Sequence, residues 1–498
     1  KIVTAAVTLG FLAIAAYVWL PSDSLQDKPP AVRSLAILPF ENLSDDPTNA
    51  YIAGGIKTVL GQRLAELSEF TIKNIRDQHE GEPAKLAARL GVESVLYGSV
   101  QALNDNLHVV YEIVRGSDGV TMLAGSESGQ IGDLFALQER LANAVRDELA
   151  GSQTPQLITR REPDSAAYNS YMRGMYELEL RFDGDNLENA IDLFNESIRL
   201  DEKYGPAYLG LATAYALMPD YRGEPLDEGR GRALDTIATG VSRDPEISDQ
   251  AGAIHGFVYQ QQKKWLESEA AYQRAIGASV VDSNAFTWYS RMLACVGRLE
   301  DARDAVLMAE VIDPDNAVVN SRIAMSFTWL ENDAKAREYF DRANELGATG
   351  EIHVIVEALL LLSEGRAEQS MNSTYDAVEL SGNSTEWIEP VFRALQDRVH
   401  AEEALAAVNR AWADKEIIPH IVLFVRTFLG DLDGAMDIAR LLENEGEAFS
   451  MEIIFAPQLA PLRQHPDFYL LLENLGMVDY WDEVGCTWDG DRVHCPAN

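Results

Sequence analysis

The sequence is poor in cysteine, with three among 498 residues, so disulfide bonds cannot be its main support. Its eight histidines are scattered, and none stands at a recognisable spacing from an acid. No HExxH, GxSxG, P-loop, CxxC or protein-kinase motif is present, and these are the patterns that place metal ligands, nucleophiles or phosphate-binding loops. We therefore predict that the chain is not an enzyme, with no catalytic residues, no metal site and no cofactor.

Positive charge is also scarce. Lys and Arg total 41 against 79 Asp and Glu, which gives a formal net charge of −38. A surface this negative repels phosphate backbones, so we expect these residues to bind no nucleic acid. Hydrophobic residues make up 47% and charged residues 24%, a mixture typical of globular proteins. At roughly 100–200 residues per domain, a chain of this length holds two or more domains.

The beginning of the chain is an uncharged run. Residues 2–20 read IVTAAVTLGFLAIAAYVWL, and at about 1.5 Å per residue a helix of that length spans roughly 28 Å, close to the thickness of a bilayer core. A secretory signal peptide is the alternative, but no small-residue cleavage site follows the run. We predict a transmembrane helix over residues 1–20, a linker over residues 21–32 and, because the bulk is acidic, a body outside the cytoplasm.

Residues 33–152 alternate strand and helix patterns in the order β-α-β-α-β-β-β-α. Apolar runs such as SLAILPF at 34–40 predict buried strands, and apolar residues at helical spacing predict a helix over residues 52–67. Gly54 and Gly55 favour close helix–strand packing over an anion-binding loop, because no Lys, Ser or Thr follows with P-loop spacing. The segment is predicted to be a small α/β domain.

The stretch LAILPFENLSDDPTNAYIAGGI, followed by LGVESVLYGSVQ and DLFALQERLANAV, resembles the TolB-N-like domain. That domain occurs in membrane-anchored bacterial regulators with tetratricopeptide repeats, which include CadC-like winged-helix proteins and proteins labelled adenylate cyclase. The resemblance runs from residue 34 to about residue 482. It implies a region that follows a cytoplasmic DNA-binding or cyclase module, in a single-pass protein of the bacterial inner membrane with most of the chain in the periplasm.

The strongest internal signal is a repeat of 34 residues. The segment GRLEDARDAVLMAEVIDPDN at 297–316 aligns at that offset with ENDAKAREYFDRANELGATG at 331–350, and a further step places Gly297 on Gly365. Thirty-four residues is the tetratricopeptide period, which accommodates two antiparallel helices with small residues where they cross. We predict an all-α solenoid of six to eight helical hairpins over residues 163–446. The predicted fold class is therefore α+β, with an N-terminal transmembrane helix, a small α/β domain and this solenoid.

Stacked hairpins form a curved array whose inner face is lined by first helices. The second, fifth, ninth, twelfth and thirteenth positions of each first helix are expected to point into the groove. Hydrogen-bonding and large amphipathic side chains at these positions suit a protein or peptide partner. The predicted partner-binding residues are Asn284, Thr287, Arg291, Ser321, Met325 and Trp329.

The next first helix carries aliphatic residues at the same positions, namely Ile352, Ile355 and Leu359. Large aliphatic side chains do not remain in water without a reason, so either the C-terminal segment or a partner is expected to cover them. Residues 447–498 are predicted to be this C-terminal segment, whose apolar pattern suggests a helix that caps the last repeat.

Cys486 and Cys495 stand nine residues apart near the C-terminus. A short loop closed by a disulfide is the favoured interpretation if the body lies in an oxidising compartment. A metal site is the alternative, since Asp489, Asp491 and His494 lie close by, but neither a zinc spacing nor a calcium-loop pattern is matched. Cys295 falls in a helical pattern and is expected to be a buried free thiol.

These observations favour a membrane-anchored periplasmic interaction scaffold, which the resemblance makes the sensory part of a transmembrane signalling or transcriptional regulator. The alternative is a structural accessory subunit of a bacterial envelope complex without signalling output. The membrane contact would be made through residues 2–20. The sequence specifies no oligomeric state.

Overall fold

A computed structural model of the chain describes residues 34–44, 46, 49–67, 70–75, 82–150, 161–181, 184–222, 225–278, 281, 283–349, 351–380, 384–444 and 450–496. The predicted transmembrane helix at residues 2–20 and the linker after it lie outside the described residues. Within the described ranges, no helix combines the length and the apolar composition that crossing a bilayer requires.

This finding corrects two predictions. The fold class becomes mostly helical, with the sheet confined to a small N-terminal part and with no transmembrane helix in the described residues. The longest described helices have 18 residues and carry charged side chains. Charged residues are expected on a helix that buries only one face against neighbouring protein. The predicted single-pass localisation in the inner membrane with a periplasmic body rested on the same helix, and it is not retained.

The N-terminal part is a mixed sheet with three helices. The strand order is β3-β1-β4-β5-β6, and the short β2 pairs with β4. β1 is parallel to β3 and β4, whereas β4, β5 and β6 form an antiparallel meander. The elements are β1 (Ser34–Ile37), β2 (Glu41–Asn42), α1 (Ala50–Ala65), β3 (Thr71–Asn74), α2 (Pro83–Leu90), β4 (Ser94–Leu103), β5 (Asn106–Arg115), β6 (Thr121–Gln130) and α3 (Leu134–Ala150).

Both faces of β1 are buried, which explains its apolar sequence. Leu35 and Ile37 lie in a core shared with α1 and α3, while Ala36 packs on the other face with Leu86 of α2. The predicted strand over 34–40 is interrupted at Pro39, which has no N–H to give to the ladder. Pairing resumes immediately afterwards in β2, because its residues again donate and accept hydrogen bonds along β4.

Among the described residues, those from Ser165 to Ala439 form eight helical hairpins. This confirms the predicted helical repeats. Each hairpin joins a first helix to an antiparallel second helix. The pairs are α4 (Ser165–Glu179) with α5 (Asn186–Leu200), α6 (Gly205–Arg222) with α7 (Leu226–Arg243), α8 (Ala251–Gln261) with α9 (Trp265–Ile276), α10 (Ser283–Cys295) with α11 (Leu299–Ile312), α12 (Ala317–Trp329) with α13 (Asp333–Glu345), α14 (Glu351–Ser363) with α15 (Ala367–Leu380), α16 (Ile388–Gln396) with α17 (Ala401–Ala413), and α18 (Pro419–Leu429) with α19 (Leu432–Ala439).

The backbone of the turns inside these hairpins repeats with the predicted period. Lys263, Gly297, Glu331 and Gly365 are spaced by 34 residues, and all four have positive φ angles, between 56° and 76°. A residue in this left-handed conformation ends one helix and reverses the chain into the next. Two of the four are not glycine, so the conformation is imposed by the packing of the hairpins and not by glycine alone.

The C-terminal segment follows the last hairpin and folds against the repeats. It consists of a 3-10 turn at Met451–Phe455, a second at Pro457–Leu459, then α20 (Ala460–Arg463), α21 (Phe468–Asn474), α22 (Met477–Val484) and the hairpin β7 (Thr487–Trp488) and β8 (Val493–His494). One continuous apolar core extends from Ala212 in α6 to Val493 in β8. The two parts of the chain meet where α1 packs on α4 and where β3 lies beside α11.

Candidate functional site: the concave face of the repeats

The first two predicted groove residues lie on α10 and differ in exposure. Asn284, in the first turn, is exposed. Thr287 is buried, and its hydroxyl donates to the carbonyl of Ser283 at 2.7 Å, a bond within its own helix. In the first turn of α10, Asn284 therefore faces solvent, whereas Ser283 and Ala285 on either side of it are buried.

Ser321 connects two hairpins. Its hydroxyl lies 3.0 Å from Nδ1 of His353 on α14, and Nε2 of that histidine lies 2.8 Å from the side-chain oxygen of Asn344. The imidazole also stacks on Phe340, with 4.4 Å between ring centroids. Burial lowers the pKa of His353, which favours the neutral ring.

The other groove residues contact the chain itself. Met325 and Trp329 are 1% and 2% exposed, and the indole N–H of Trp329 donates to the carbonyl of Glu452 at 2.9 Å. The guanidinium of Arg291 lies 5.9 Å from the centroid of the Phe257 ring. These side chains were predicted to bind a partner, and in the structure their immediate neighbours include the chain's own C-terminal segment.

Glu452 is the polar centre of that contact. It is fully buried, its carboxylate pairs with Arg322, and Ser450 donates a hydroxyl to it at 2.9 Å. Burial by itself raises the pKa of this carboxyl, but Arg322 and Arg291 outweigh burial and hold the pKa below its usual range. The concave face therefore holds an ionised carboxylate between two arginines.

The apolar residues of α14 are not exposed to water. Ile355 and Leu359 are 7% and 6% exposed and belong to the same core as the C-terminal segment. Ile352 lies in the first turn of α14, and its side chain is outside what the structure describes. A partner is therefore not required to shield the two described side chains.

A second group of contacts lies closer to the N-terminus of the array. The indole of Trp265 donates to the carbonyl of Leu475 at 2.8 Å, and the indole of Trp481 donates to the carbonyl of Val296 at 2.8 Å. The sequence predicted a helix over the last repeat alone. The C-terminal segment contacts the last hairpin but also reaches back to α9, α10 and α12.

A buried hydrogen-bonded network fixes the same segment. Arg298 pairs with Glu269 at 2.8 Å and donates to the hydroxyl of Tyr480 at 2.7 Å, while that hydroxyl donates to Glu269 at 2.8 Å. Burial raises the pKa of Tyr480 well above its ordinary value, so its proton remains available for the bond. Sequence reasoning missed this network because Tyr480 lies 182 positions from Arg298 and 211 from Glu269, and no periodic pattern links them.

Cys486 and Cys495 form a disulfide that closes the β7–β8 hairpin. A bonded sulfur is not the thiolate that binds zinc, so Cys495 does not serve the metal site considered from the sequence. Trp488 in this hairpin stacks on Trp481 with 5.8 Å between ring centroids. Cys295 is a buried free thiol, and burial raises its pKa to about 12, so it is protonated at neutral pH.

No protein-family model matches the sequence. A curated relative, the putative adenylate cyclase 3 of Rhizobium meliloti (strain 1021), is 24% identical over 256 residues, which make up 48% of this chain and 42% of the relative. The chain thus matches about two fifths of the length of that protein. We predicted that the chain is not an enzyme; this likeness overturns that prediction, because the relative bears the name of an enzyme.

Among solved structures, the chain is similar to pilF of Pseudomonas aeruginosa, with a TM-score of 0.33, 15% identity and coverage of 44% of this chain and 94% of that one. It is also similar to the human IFIT1 dimer with m7Gppp-AAAA, with a TM-score of 0.42, 13% identity and coverage of 71% and 78%. These scores are too low to define a fold family, so the assignment of tetratricopeptide-like repeats rests on the hairpins and their 34-residue turns.

Proposed function

We propose that the chain is a protein-interaction scaffold whose helical repeats bind polypeptide segments, and that it serves as the regulatory part of a signalling protein. One observation carries the first half of this proposal: the concave face already holds a polypeptide segment, residues 450–456. In that segment, the main-chain carbonyl of Glu452 accepts a hydrogen bond from Trp329, and the carboxylate of Glu452 pairs with Arg322. Main-chain hydrogen bonds and side-chain contacts of these kinds also give affinity and specificity in peptide recognition.

The surface left for a partner consists of single exposed positions near the start of the first helices α10 and α12. Asn284 is exposed, Val318 is 36% exposed, and Ser321 is half-buried. These residues lie on the same side of successive helices, so an extended partner would contact them in order along the array. The formal charge of −38 favours a partner segment without excess negative charge.

Site-specific photo-crosslinking in the host cell tests the proposal. A photoreactive phenylalanine replaces Asn284 on the concave face, and a matched variant carries it at Glu300, which is exposed on the second helix of the same hairpin. We expect a discrete crosslinked partner at position 284 and none at position 300. Equal crosslinking at both positions, or no product at position 284, contradicts the proposal.

The signalling half is supported by the name of the curated relative. A second candidate function follows from the same likeness, namely that the chain belongs to a nucleotide cyclase. Incubation of the purified chain with ATP and Mg²⁺ or Mn²⁺, followed by measurement of cyclic AMP, separates the two. Formation of cyclic AMP by the chain alone favours the cyclase, and its absence together with a crosslinked partner favours the scaffold.

A further inference from the structure

The strand β6 forms one edge of the sheet, so one side of it has no neighbouring strand among the described residues. Proteins commonly protect such an edge from pairing with another chain by means of lysine, proline or a very short strand. β6 has none of these, since it is 10 residues long with the sequence TMLAGSESGQ, and the irregularity in its pairing with β5 is confined to its first residues. Its single charge, on Glu127, is paired with Arg140 of α3 at 2.8 Å. The edge is therefore open to another strand.

The direction of the main-chain groups identifies which residues of β6 face outward. The N–H of Ile131, just after the strand, donates to the carbonyl of Asp105 and so points toward the start of β5. Main-chain groups alternate in direction along a strand, so those of Ser128 and Ser126 point away from β5. The carbonyl of Ser128 agrees with this direction, because it accepts from Arg140 of α3 at 3.4 Å and not from the sheet.

A buried hydroxyl without a partner lies beside this edge. Tyr111 of β5 pairs with Gly125 of β6 and is 4% exposed. A Cβ atom built on Gly125 would lie 2.5 Å from the hydroxyl oxygen of Tyr111, so the tyrosine ring reaches over the glycine of the edge strand. That hydroxyl makes no hydrogen bond with any described residue, and burial raises the pKa of Tyr111, so the proton is kept. A buried donor that lacks an acceptor is costly, which indicates that an acceptor comes from outside.

We propose that β6 pairs with β6 of a second copy of this chain, in an antiparallel arrangement centred on Ser126. In this register Ser126 faces its own equivalent, and Glu127 of each copy faces Gly125 of the other. Side chains directly opposite each other lie on the same face of a sheet. The carboxylate of Glu127 would therefore accept the hydroxyl of Tyr111 from the other copy, above a glycine that leaves room for it. The two-fold symmetry makes this bond twice.

The register favours a second copy over a strand of another protein. A strand that supplies the missing acceptor needs a carboxylate one residue from the centre of pairing, and β6 has Glu127 at that position. No like charges stand opposite each other, because Glu127 faces Gly125 and Ser128 faces Ala124, and about six main-chain hydrogen bonds form. The formal charge of −38 on each copy opposes association, but at the edge itself Arg140 balances Glu127. No residue is shared with the concave face, so the proposal does not depend on partner binding there.

Sedimentation equilibrium of the full chain tests the pairing. The chain is measured at about 1–100 μM, in about 0.5 M sodium chloride to screen the repulsion between two acidic molecules. We expect a monomer–dimer equilibrium in this range. Ser126→Pro removes an outward N–H and should weaken the dimer at least tenfold, whereas Ser126→Val keeps the N–H and should change the affinity by less than about threefold. A chain that stays monomeric throughout, or equal association of the two variants, overturns the proposal.

A second variant avoids any change to the backbone. Tyr111→Phe removes the hydroxyl and keeps the ring over Gly125, so the melting curve of the monomer should be unchanged while the dimer weakens about tenfold. Glu127→Ala should also weaken the dimer, but it should have much less effect when Tyr111 is already phenylalanine, because the two groups form one bond. Unchanged dimer affinity of Tyr111→Phe, or losses that add fully in the double variant, contradict the bond between the two copies.

Cysteine crosslinking checks the register. Ser126→Cys places two thiols opposite each other across the symmetry axis, at a separation that a disulfide can bridge. Gln101→Cys is the matched control, since this residue is exposed on β4, two strands away from the edge. We expect a crosslinked dimer from oxidation of the first variant and none from the second. No crosslink at position 126, or equal crosslinking at both positions, refutes the arrangement.

Discussion

The concave face of the repeats and the α1–α4 joint are both lined by aromatic side chains, but only one of them is closed. On the concave face, the indoles of Trp265, Trp329 and Trp481 each donate to a main-chain carbonyl between the repeats and the C-terminal segment. At the joint, Tyr171 and Tyr176 are half-buried, and open space lies in front of Gly54. The path of residues 450–496 therefore explains why the aromatic side chains of the concave face become part of the core.

The largest expected effect comes from reopening the closed surface. Trp481→Ala removes a side chain that is 2% exposed together with its bond to Val296, and we expect a loss of about 3–5 kcal/mol in the free energy of unfolding of the repeats. Urea denaturation followed by tryptophan fluorescence measures it. Tyr469→Ala, at a residue that is 46% exposed in the same segment, is the control and should change stability by less than about 1 kcal/mol. Similar losses in both variants would contradict the closed arrangement.

Next in size is the buried carboxylate. Glu452→Gln leaves Arg322 without its counter-charge, and we expect it to cost about 3 kcal/mol at pH 7. The pKa of Glu452 is lowered in the folded chain, so its contribution is fully present above the unfolded value of about 4.3 and is lost as pH falls through the folded pKa. The stability difference between parent and variant should therefore shrink as the pH is lowered below about 4. A difference that stays constant from pH 7 to pH 3 would show that the charge has no role.

Removal of the disulfide should lower the free energy of unfolding by a moderate amount. Cys486→Ser opens a loop whose ends are nine residues apart, and closure of a loop of this size is worth about 2–3 kcal/mol. The loss is expected in the unfolding of the C-terminal segment, reported by Trp488 and Trp481, which stack on each other. A reducing agent should destabilise the parent and leave the variant unchanged. If the variant responds to the reducing agent as the parent does, the bond is not the cause.

The smallest expected effects on stability are those of alanine substitutions at two helix glycines. Comparing them tests the difference between close packing and open space. A Cβ on Gly252 of α8 would lie 2.6 Å from the carbonyl oxygen of Ala271, so Gly252→Ala should destabilise the repeats by about 1–3 kcal/mol. Gly54→Ala meets no neighbour and should stabilise α1 by about 0.5–1 kcal/mol. Thermal melts of the two variants give the signs, and a destabilising Gly54→Ala would mean that the joint is not open.

The features that could be predicted from the sequence are those that depend on residues close together in the chain. The 34-residue offset predicted the hairpins, and the turn residues Gly297 and Gly365 fall at the conformation that needs them. Glu331 adopts the same backbone angle, which its residue type does not suggest. Periodicity also placed Met325 and Trp329 on an inner face, but it holds no information about a segment 123 residues further along the chain that covers them. Contacts of that sequence separation depend on the curvature of the whole array.

The different surroundings of Gly54 and Gly55 at the α1–α4 joint could not be predicted from the sequence, for a related reason. Gly54 and Gly55 were interpreted together as packing glycines, but in the structure they differ, since only Gly55 lies against a neighbour, and this neighbour belongs to a helix and not to a strand. Which of two adjacent glycines faces open space depends on the angle at which α4 crosses α1. Between these helices, the hydroxyl of Tyr51 donates to the side-chain oxygen of Asn169.

During translation, the residues that close the concave face are made after the hairpins that they cover. Until Tyr480 and Trp481 have left the ribosome, Arg298 and Glu269 in the middle of the array have no third member for their network. A nascent chain of otherwise complete hairpins would present Trp265 and Trp329 to chaperones, and these hairpins would complete their packing only after residues 452–475 have left the exit tunnel. A stop codon placed before the codon for Tyr480 would therefore destabilise the middle hairpins as well as remove part of the C-terminal segment.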